Sequence, residues 1–232
     1  TIHTNHLKID SDSLERFLND SGVRVKSHPW LADCFSISLT GNLEKFDPFE
    51  QGFFTVQDVA AKLVALAATP KPGDRIIDTC SAPGGKSFAM AILMNDTGSI
   101  LSCDIENRKL DLIEKGAKRL GIHCIETRFA DGCNFDSTLS ESADVVVCDV
   151  PCSGLGIIRK KPDIRYKDID SIAQLPSLQS LILKNASSYV KPGGTLIYST
   201  CTILPEENEV VTDDFLATHH EFFYDDFILP GP

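Results

Sequence analysis

The sequence predicts an α/β protein: a mostly parallel sheet with helices on both faces, preceded by a small α+β piece. Three observations predict this. From residue 75 onward, short apolar runs alternate with segments of helical period, the pattern of a parallel sheet with crossover helices. One of these runs, ADVVVCD (143–149), is apolar almost throughout, as a strand buried on both faces must be. A turn rich in Gly and Pro joins the first run, RIIDTC (75–80), to a helical segment, SFAMAILM (87–94).

The remaining elements follow in order. Ser11 to Asn19 reads as a short helix with Leu14, Phe17 and Leu18 on one face and Ser11 or Ser13 as its cap. VRVKS (23–27) and FSISLT (35–40) alternate as strands do. Phe53 to Ala68 reads as a helix leading into the sheet. SILSCD (99–104) is a second sheet strand. Arg108 to Leu120 places Leu110, Ile113, Ala117 and Leu120 at helical spacing, with Gly121 as a stop. HCIETRF (123–129) is a third strand and 143–149 a fourth. Leu175 to Val190 is a helix closed by Lys-Pro-Gly-Gly, and TLIYST (195–200) a fifth strand. Glu206 to Leu216 reads as a helix and EFFYDDF (221–227) as a strand.

The chain has 232 residues, 42 % hydrophobic and 24 % charged, which excludes general disorder. No run of ~18 uncharged apolar residues exists, so no membrane partner is expected. Thr1–Asp10 is polar and unlike a signal peptide, and a first residue other than Met points to a piece of a longer chain. The formal charge is −11, but Glu206 to Asp226 carries eight acids and no base. Elsewhere RKKPDIRYK (159–167) holds five bases against one acid. That segment is either a solvated loop or a patch that contacts phosphates. The eight cysteines are dispersed without a CxxC pair, and several fall in apolar runs. This suits reduced, buried thiols in a cytoplasmic protein and gives a structural zinc site little support, so no metal is expected. Trp30 and Phe35 are expected to pack the small piece, and His219 and His220 to lie on the surface.

A parallel sheet binds ligands at the carboxyl ends of its strands, and the unusual residues cluster there. DTCSAPGGKS (78–87) is a strand–turn–helix whose glycines bring backbone N–H groups up to a ligand. A Walker A loop fits Gly85, Lys86 and Ser87 but has Cys80 where the first glycine must be. The dinucleotide pattern GxGxxG is absent. A third, competing reading is a sulfonium nucleoside such as S-adenosylmethionine, with the loop on its carboxylate. Asp104, 20 residues after Gly84, would take the ribose, and Asp131 the adenine amino group. DVPCSGLG (149–156) places Asp149 and Cys152 at the fourth strand's tip, and YSTCT (198–202) places Cys201 at the fifth. Taken alone, the two thiols are a nucleophile and its partner, a redox pair, or an idle pair.

Together these segments resemble the Sun/Fmu-type RNA cytosine-C5 methyltransferases, most closely the bacterial branch acting on small-subunit ribosomal RNA. GFFTVQDVAA (52–61), DTCSAPGGKS, DVPCSGLG, RKKPDIRY (159–166), the stretch 178–202 and LPEEN (204–208) match in order and spacing, with Ser81 and Ser87 where Ala and Thr are usual. The resemblance implies a Rossmann-like methyltransferase domain over 51–232, its closing strands cut short at Pro232. Residues 1–50 would be part of a small RNA-recognition-like domain. It implies a cofactor, S-adenosylmethionine, held by Cys80, Ser81, Ala82, Pro83, Gly84, Gly85, Lys86, Asp104, Asp131 and Asp149. Cys201 would bond cytosine C6, Cys152 would help remove the C5 proton, Asp149 would hold the N3/N4 edge, and Lys86 would add positive charge that favours a thiolate. Arg159, Lys160, Lys161 and Arg165 would contact the RNA backbone, and the target cytosine would be unpaired. Two rival readings remain: a DNA-type enzyme with Cys152 as nucleophile, and an inactive RNA-binding ribosome-assembly factor of the same fold.

Overall fold

The computed structural model describes residues 1–38 and 41–231. The first unit is an antiparallel sheet with a helix against it. Its elements are β1 (Ile2–Thr4), α1 (Ser11–Asp20), β2 (Arg24–Ser27), β3 (Cys34–Ser38), α2 (Asp47–Glu50) and β4 (Phe54–Val56), in strand order β2-β3-β1-β4. Ile2, Leu14, Leu18, Val23, Phe35 and Phe54 form its core. Leu14 and Leu18, one helical turn apart, are fully buried, whereas Phe17 is partly exposed and meets Phe53 edge-on. Phe35 packs as expected; Trp30 sits edge-on to His28 at 4.6 Å.

Three expectations are corrected in this region. The cap of α1 is Asp10 rather than Ser11 or Ser13, because its carboxylate accepts both the backbone N–H and the hydroxyl of Ser13, at 2.8 and 2.7 Å. Phe53 to Ala68 is not one helix. Phe-Thr-Val is aromatic and β-branched and pairs with β1 instead. Helix α3 (Val59–Ala67) starts only at Asp58, whose side chain accepts the Val59 N–H. The small sheet therefore runs past residue 50 to Val56. Leu39 and Thr40, the end of the strand expected over 35–40, lie outside the described residues.

The second unit carries β5 (Arg75–Asp78), α4 (Gly85–Leu93), β6 (Ser99–Asp104), α5 (Asn107–Leu120), β7 (Ile125–Phe129) and β8 (Ala143–Asp149). After these come α6 (Ile169–Ala173), α7 (Leu175–Ser187), β9 (Val190–Ser199) and α8 (Glu209–Thr218). The sheet is parallel throughout, in order β7-β6-β5-β8-β9, a Rossmann-like arrangement. Successive residues face opposite layers, as strand pleating requires: Ile76, Val145 and Val147 pack toward α4 and α5, and Ile77, Val146 and Cys148 toward α7. The order reverses between β5 and β8, which opens the crevice where such sheets take ligands.

The small unit is fastened beside this sheet. Asn5 donates to the carbonyls of Gly52 and Leu120, and Arg119 donates to those of Phe49 and Phe54 while lying over the Phe49 ring. Two further expectations fail. Residues 221–227 form no strand: Phe222 packs on Phe215 of α8, and Tyr224 donates to Thr212 and Asp213. That alternating run follows a helix face rather than a sheet ladder. Helix α8 starts at Glu209, because Pro205–Glu207 forms a separate 3₁₀ turn.

Candidate active site

The crevice between β5 and β8 gathers most of the residues singled out above. At the tip of β5, Ser81 donates both its N–H and its hydroxyl to the Cys103 carbonyl of β6, at 2.8 and 2.9 Å. Asp104 at the tip of β6 accepts from Ala82 N and Glu106 N, so one carboxylate fixes the loop and starts the next turn. Gly84 has φ of +99°, a conformation glycine adopts without strain, and a Cβ at Gly85 would meet the Gln57 amide at 3.0 Å. The loop thereby turns straight into α4. Among the described residues no acceptor meets the N–H groups of Gly85, Lys86 and Ser87. Three bare donors at the positive end of a helix dipole suit an anionic group.

Beneath the loop lies Asp78, fully buried. Its Oδ2 accepts from Ser87, which in turn accepts from Ser102, and among the described residues its Oδ1 has no partner. Burial, aided by the charge of Asp149, pushes its pKa up to about 7. Cys80 is pushed up by burial too, which makes it a wall of the crevice rather than a thiolate.

At the tips of β8 and β9 the two thiols meet. Cys152 Sγ and Cys201 Sγ are 3.1 Å apart, and the Cys201 N–H donates to Cys152 Sγ at 3.2 Å. Both thiols are free. Cys201 is exposed and Cys152 half-buried. The hydrogen bond from Cys152 is the main cause that lowers Cys201 to about 7, with Lys86 and Lys161 adding to it against burial and Asp149. The same hydrogen bond, with burial, raises Cys152. Either sulfur can donate across this contact, and the directions of the two shifts favour Cys201 over Cys152 as the site of the negative charge. Lys86 was expected to supply this activation; it contributes, but the neighbouring thiol does more. Lys86 is ion-paired with Asp149 Oδ2, and Ser199 donates to Asp149 Oδ1 at 2.8 Å.

Asp131 stands beyond the end of β7, and both its oxygens are engaged in its own turn, with Cys133 N at 2.9 Å and Asn134 Nδ2 at 3.1 Å. Arg159, Lys160, Lys161 and Arg165 are all exposed on the segment that follows the Cys152 loop. Lys160 pairs with Asp58 and Arg165 donates to the Pro162 carbonyl, so Arg159 and Lys161 are the freer cations. Sequence reasoning missed Asp78, Ser199, Lys167, Gln179 and Glu207. One signal was available: Gln179 shares helical spacing with Ile182, Leu183 and Ala186 on the buried face of α7, an unusual place for an amide.

Among the described residues one cluster has metal-ligand chemistry: His3, Asp33 and Cys34. Lys62 already bonds Asp33 at 2.8 Å. Burial and the Lys62 charge push His3 down to about 4, and burial pushes Cys34 up to about 12. An ammonium fills the only charged ligand, and the cluster is a core network. Two surface recesses, one by Asp74, Asp144 and Lys191 and one by Arg75 and Glu126, lie at the amino ends of the strands, away from the thiols.

The family described as "16S rRNA methyltransferase RsmB/F" matches residues 65–230. The chain belongs to this family. It is 37 % identical over 224 residues to "Probable ribosomal RNA small subunit methyltransferase B" of Bacillus subtilis (strain 168), covering 96 % of this chain and 50 % of that protein. The same alignment with ribosomal RNA small subunit methyltransferase B of Erwinia tasmaniensis gives 32 % over 220 residues, 94 % of this chain and 51 % of the relative. Among solved structures, a methyltransferase homolog from Pyrococcus horikoshii superposes with a TM-score of 0.81 at 30 % identity, over 94 % of this chain and 69 % of that one. The chain spans about half the length of the curated relatives it matches. The fold and the family follow from these likenesses; the RsmB/F-type chain described here keeps every motif residue of the crevice at one sheet edge.

Proposed function

We propose that this RsmB/F-family chain is the catalytic core of an RNA methyltransferase that acts at C5 of a cytosine, with small-subunit ribosomal RNA as the substrate class and S-adenosylmethionine as the methyl source. The observation that carries the reading is the 3.1 Å thiol pair at adjacent strand tips, with Lys86 and Asp149 beside it. The crevice fits the cofactor. The bare N–H groups of Gly85, Lys86 and Ser87 suit its carboxylate, and Asp104 at the β6 tip suits ribose hydroxyls. When bound, S-adenosylmethionine supplies an electrophilic sulfonium methyl.

The chain's residues have to make cytosine C5 nucleophilic and then restore the ring. The Cys201 thiolate adds to C6, and the C5–C6 π pair moves toward C5 and, through C4, toward N3. Asp149 would hold the N3/N4 edge: each of its oxygens accepts one protein donor and keeps a second lone pair for a base N–H. After C5 has gained its substituent, its proton must leave. A base takes that proton, the C–H electrons rebuild the C5–C6 double bond, and the C6–S bond breaks with its pair returning to Cys201. Cys152 would act as that base: once Cys201 is bonded to carbon, Cys152 no longer shares its proton with a neighbouring thiolate, and it releases that proton to solvent before it takes the one from C5. The exposed cations at 159–165 would track the RNA backbone, and eight unpaired thiols suit the cytoplasm.

The test is covalent trapping with a small-subunit ribosomal RNA fragment and S-adenosylmethionine. Cys152→Ala is expected to leave an RNA adduct that survives denaturation, and Cys201→Ala to leave none. The reverse result would assign the nucleophile to Cys152, the DNA-type alternative. No adduct from either variant and no methyl transfer by the parent would leave an RNA-binding assembly factor.

A further inference from the structure

We propose that Gln179, Glu207 and Lys167 form a clamp on the backbone of the Cys152 loop, and that this clamp sets the geometry of the product-release step; the inference rests on the thiol roles proposed above. Gln179 Nε2 donates to the Pro151 carbonyl at 2.9 Å, one residue before the thiol. Glu207 Oε2 accepts from the Ser153 N–H at 2.8 Å, one residue after it. Gln179 Nε2 also donates to that same Glu207 oxygen at 2.8 Å, so α7 and the 205–207 turn grip the loop as one unit. From the open side Lys167 Nζ reaches the carbonyls of Cys152 and Ser153, at 3.2 and 2.8 Å. None of the three side chains bonds the Cys152 thiol, so they are positioning residues.

The clamp is also tied to the nucleophile. Ser153 Oγ lies 2.7 Å from Thr202 Oγ1, and Tyr198, on the strand that leads to Cys201, donates to the Glu207 carbonyl at 2.7 Å. The two loops therefore move together, which keeps the sulfur atoms in register.

What marks the arrangement as functional is its cost. Gln179 and Glu207 are 0 % and 1 % exposed, yet among the described residues Gln179 Oε1 and Glu207 Oε1 have no partner. A buried polar group left unmet is destabilising, and an apolar pair of similar volume would hold α7 against the sheet better. Such a pair could not hold the loop's own N–H and C=O. The polar pair is therefore kept for what it aligns.

Three variants test this in the full-length protein: Gln179→Met and Glu207→Met, which fill the same space without the hydrogen bonds, and Lys167→Met on the surface, which carries the test if a buried variant does not fold. The first readout needs neither RNA nor cofactor. Amide hydrogen exchange in residues 150–154 is expected to speed up at least tenfold in Gln179→Met and Glu207→Met and severalfold in Lys167→Met. At saturating RNA, turnover is expected to fall at least tenfold in the buried variants with KM for S-adenosylmethionine within twofold. A denaturation-resistant RNA adduct should accumulate, as in Cys152→Ala. Adding Gln179→Met to Cys152→Ala should change adduct yield less than twofold, because both act on one step, and Glu207→Gln, which keeps an acceptor for Ser153, should restore exchange protection. Exchange that stays slow in all three variants overturns the clamp. An adduct absent from them but present in Cys152→Ala overturns its link to release. An adduct absent from Cys152→Ala itself is the failure of the thiol assignment, and the exchange data then decide the clamp alone.

Discussion

Cys201 should titrate well below an ordinary thiol, and removing its neighbour should undo this. The perturbation is Cys152→Ala. In the parent, the 3.1 Å contact from Cys152 is the foremost cause that brings Cys201 from 9.0 to about 7. At pH 7 a thiol of pKa about 7 is half thiolate, and one of pKa 9 is about one part in a hundred thiolate. The full shift is thus worth some fiftyfold in thiolate at neutral pH. Cys201 is exposed, so water screens part of it, and Lys86 and Lys161 retain another part in the variant; an upward move of at least one unit is expected. The assay is alkylation of the free protein by iodoacetamide between pH 6 and 10, with Cys201 followed by peptide mass. The inflection is the quantity to read, because a less basic thiolate is intrinsically less nucleophilic and the plateau rates will partly offset the difference. The parent should inflect between pH 7 and 8 and Cys152→Ala at least one unit higher. Cys152→Ser, which keeps a hydroxyl donor, should fall between them. A parent that inflects near pH 9, or an alanine variant that leaves the inflection in place, would refute the shared-proton account of the pair.

Asp78 gives a pH signature of its own. Its folded pKa, about 7 against an ordinary 3.8, means that the folded state holds the proton more tightly than the unfolded chain. Stability should therefore fall as pH rises from about 4 to about 7 and then level off. Asp78→Asn lacks this loss, so urea unfolding should show it gaining on the parent across that window, by on the order of 4 kcal/mol at pH 8 for a three-unit shift. Parallel curves for the two proteins would show that Asp78 carries no such shift. In the basic segment, Arg159→Ala and Lys161→Ala should each reduce the slope of log binding constant against log salt by about 0.7 for single-stranded RNA. Lys160→Ala should reduce it less, because Asp58 already neutralises part of that charge; equal effects of all three in a filter-binding titration would count against the assignment.

The order of the sheet elements could be read from the chain because each strand is a local statement. ADVVVCD is apolar on both faces and is buried on both; SILSCD occupies the expected Ser99–Asp104 without a residue's difference. Errors arose where a local pattern had two solutions. Phe-Thr-Val at 54–56 fits a helix leading to α3 or a strand, and only its partner β1, at the far end of the small unit, decides for the strand. The aromatic alternation at 221–227 has no neighbouring strand among the described residues and falls against α8 instead. The motif residues were legible for a related reason. Asp149, Cys152 and Cys201 lie at or just past the ends of two strands, and Gly84 caps the helix that follows a third, so finding the strands finds the site.

The residues that govern the chemistry from behind were not legible, and the physical reason is that their partners are backbone atoms. Glu207 acts on the Ser153 N–H and Gln179 on the Pro151 carbonyl; every residue but proline has an N–H and every residue a carbonyl, so the sequence of the acceptor or donor carries no mark of the contact. A side-chain pair such as Lys86 and Asp149 leaves complementary charges in two motifs, and that much can be suspected from the chain. The Cys201 pKa belongs to the same class as the clamp. Lysine near a thiol is a visible cause, but the larger cause is a hydrogen bond from Cys152 that exists only because β8 and β9 are neighbours and end level with each other, Asp149 opposite Ser199. A one-residue change of that register would turn the side chains at the strand tips to the other face. It would separate the sulfurs while leaving both motifs intact in the sequence. On this account the reactivity of the site depends on strand register, and a substitution that loosens register far from either cysteine, as at Gly193–Gly194 within β9, where the pairing with β8 shifts register, should show first as a rise in the Cys201 inflection and only later as unfolding.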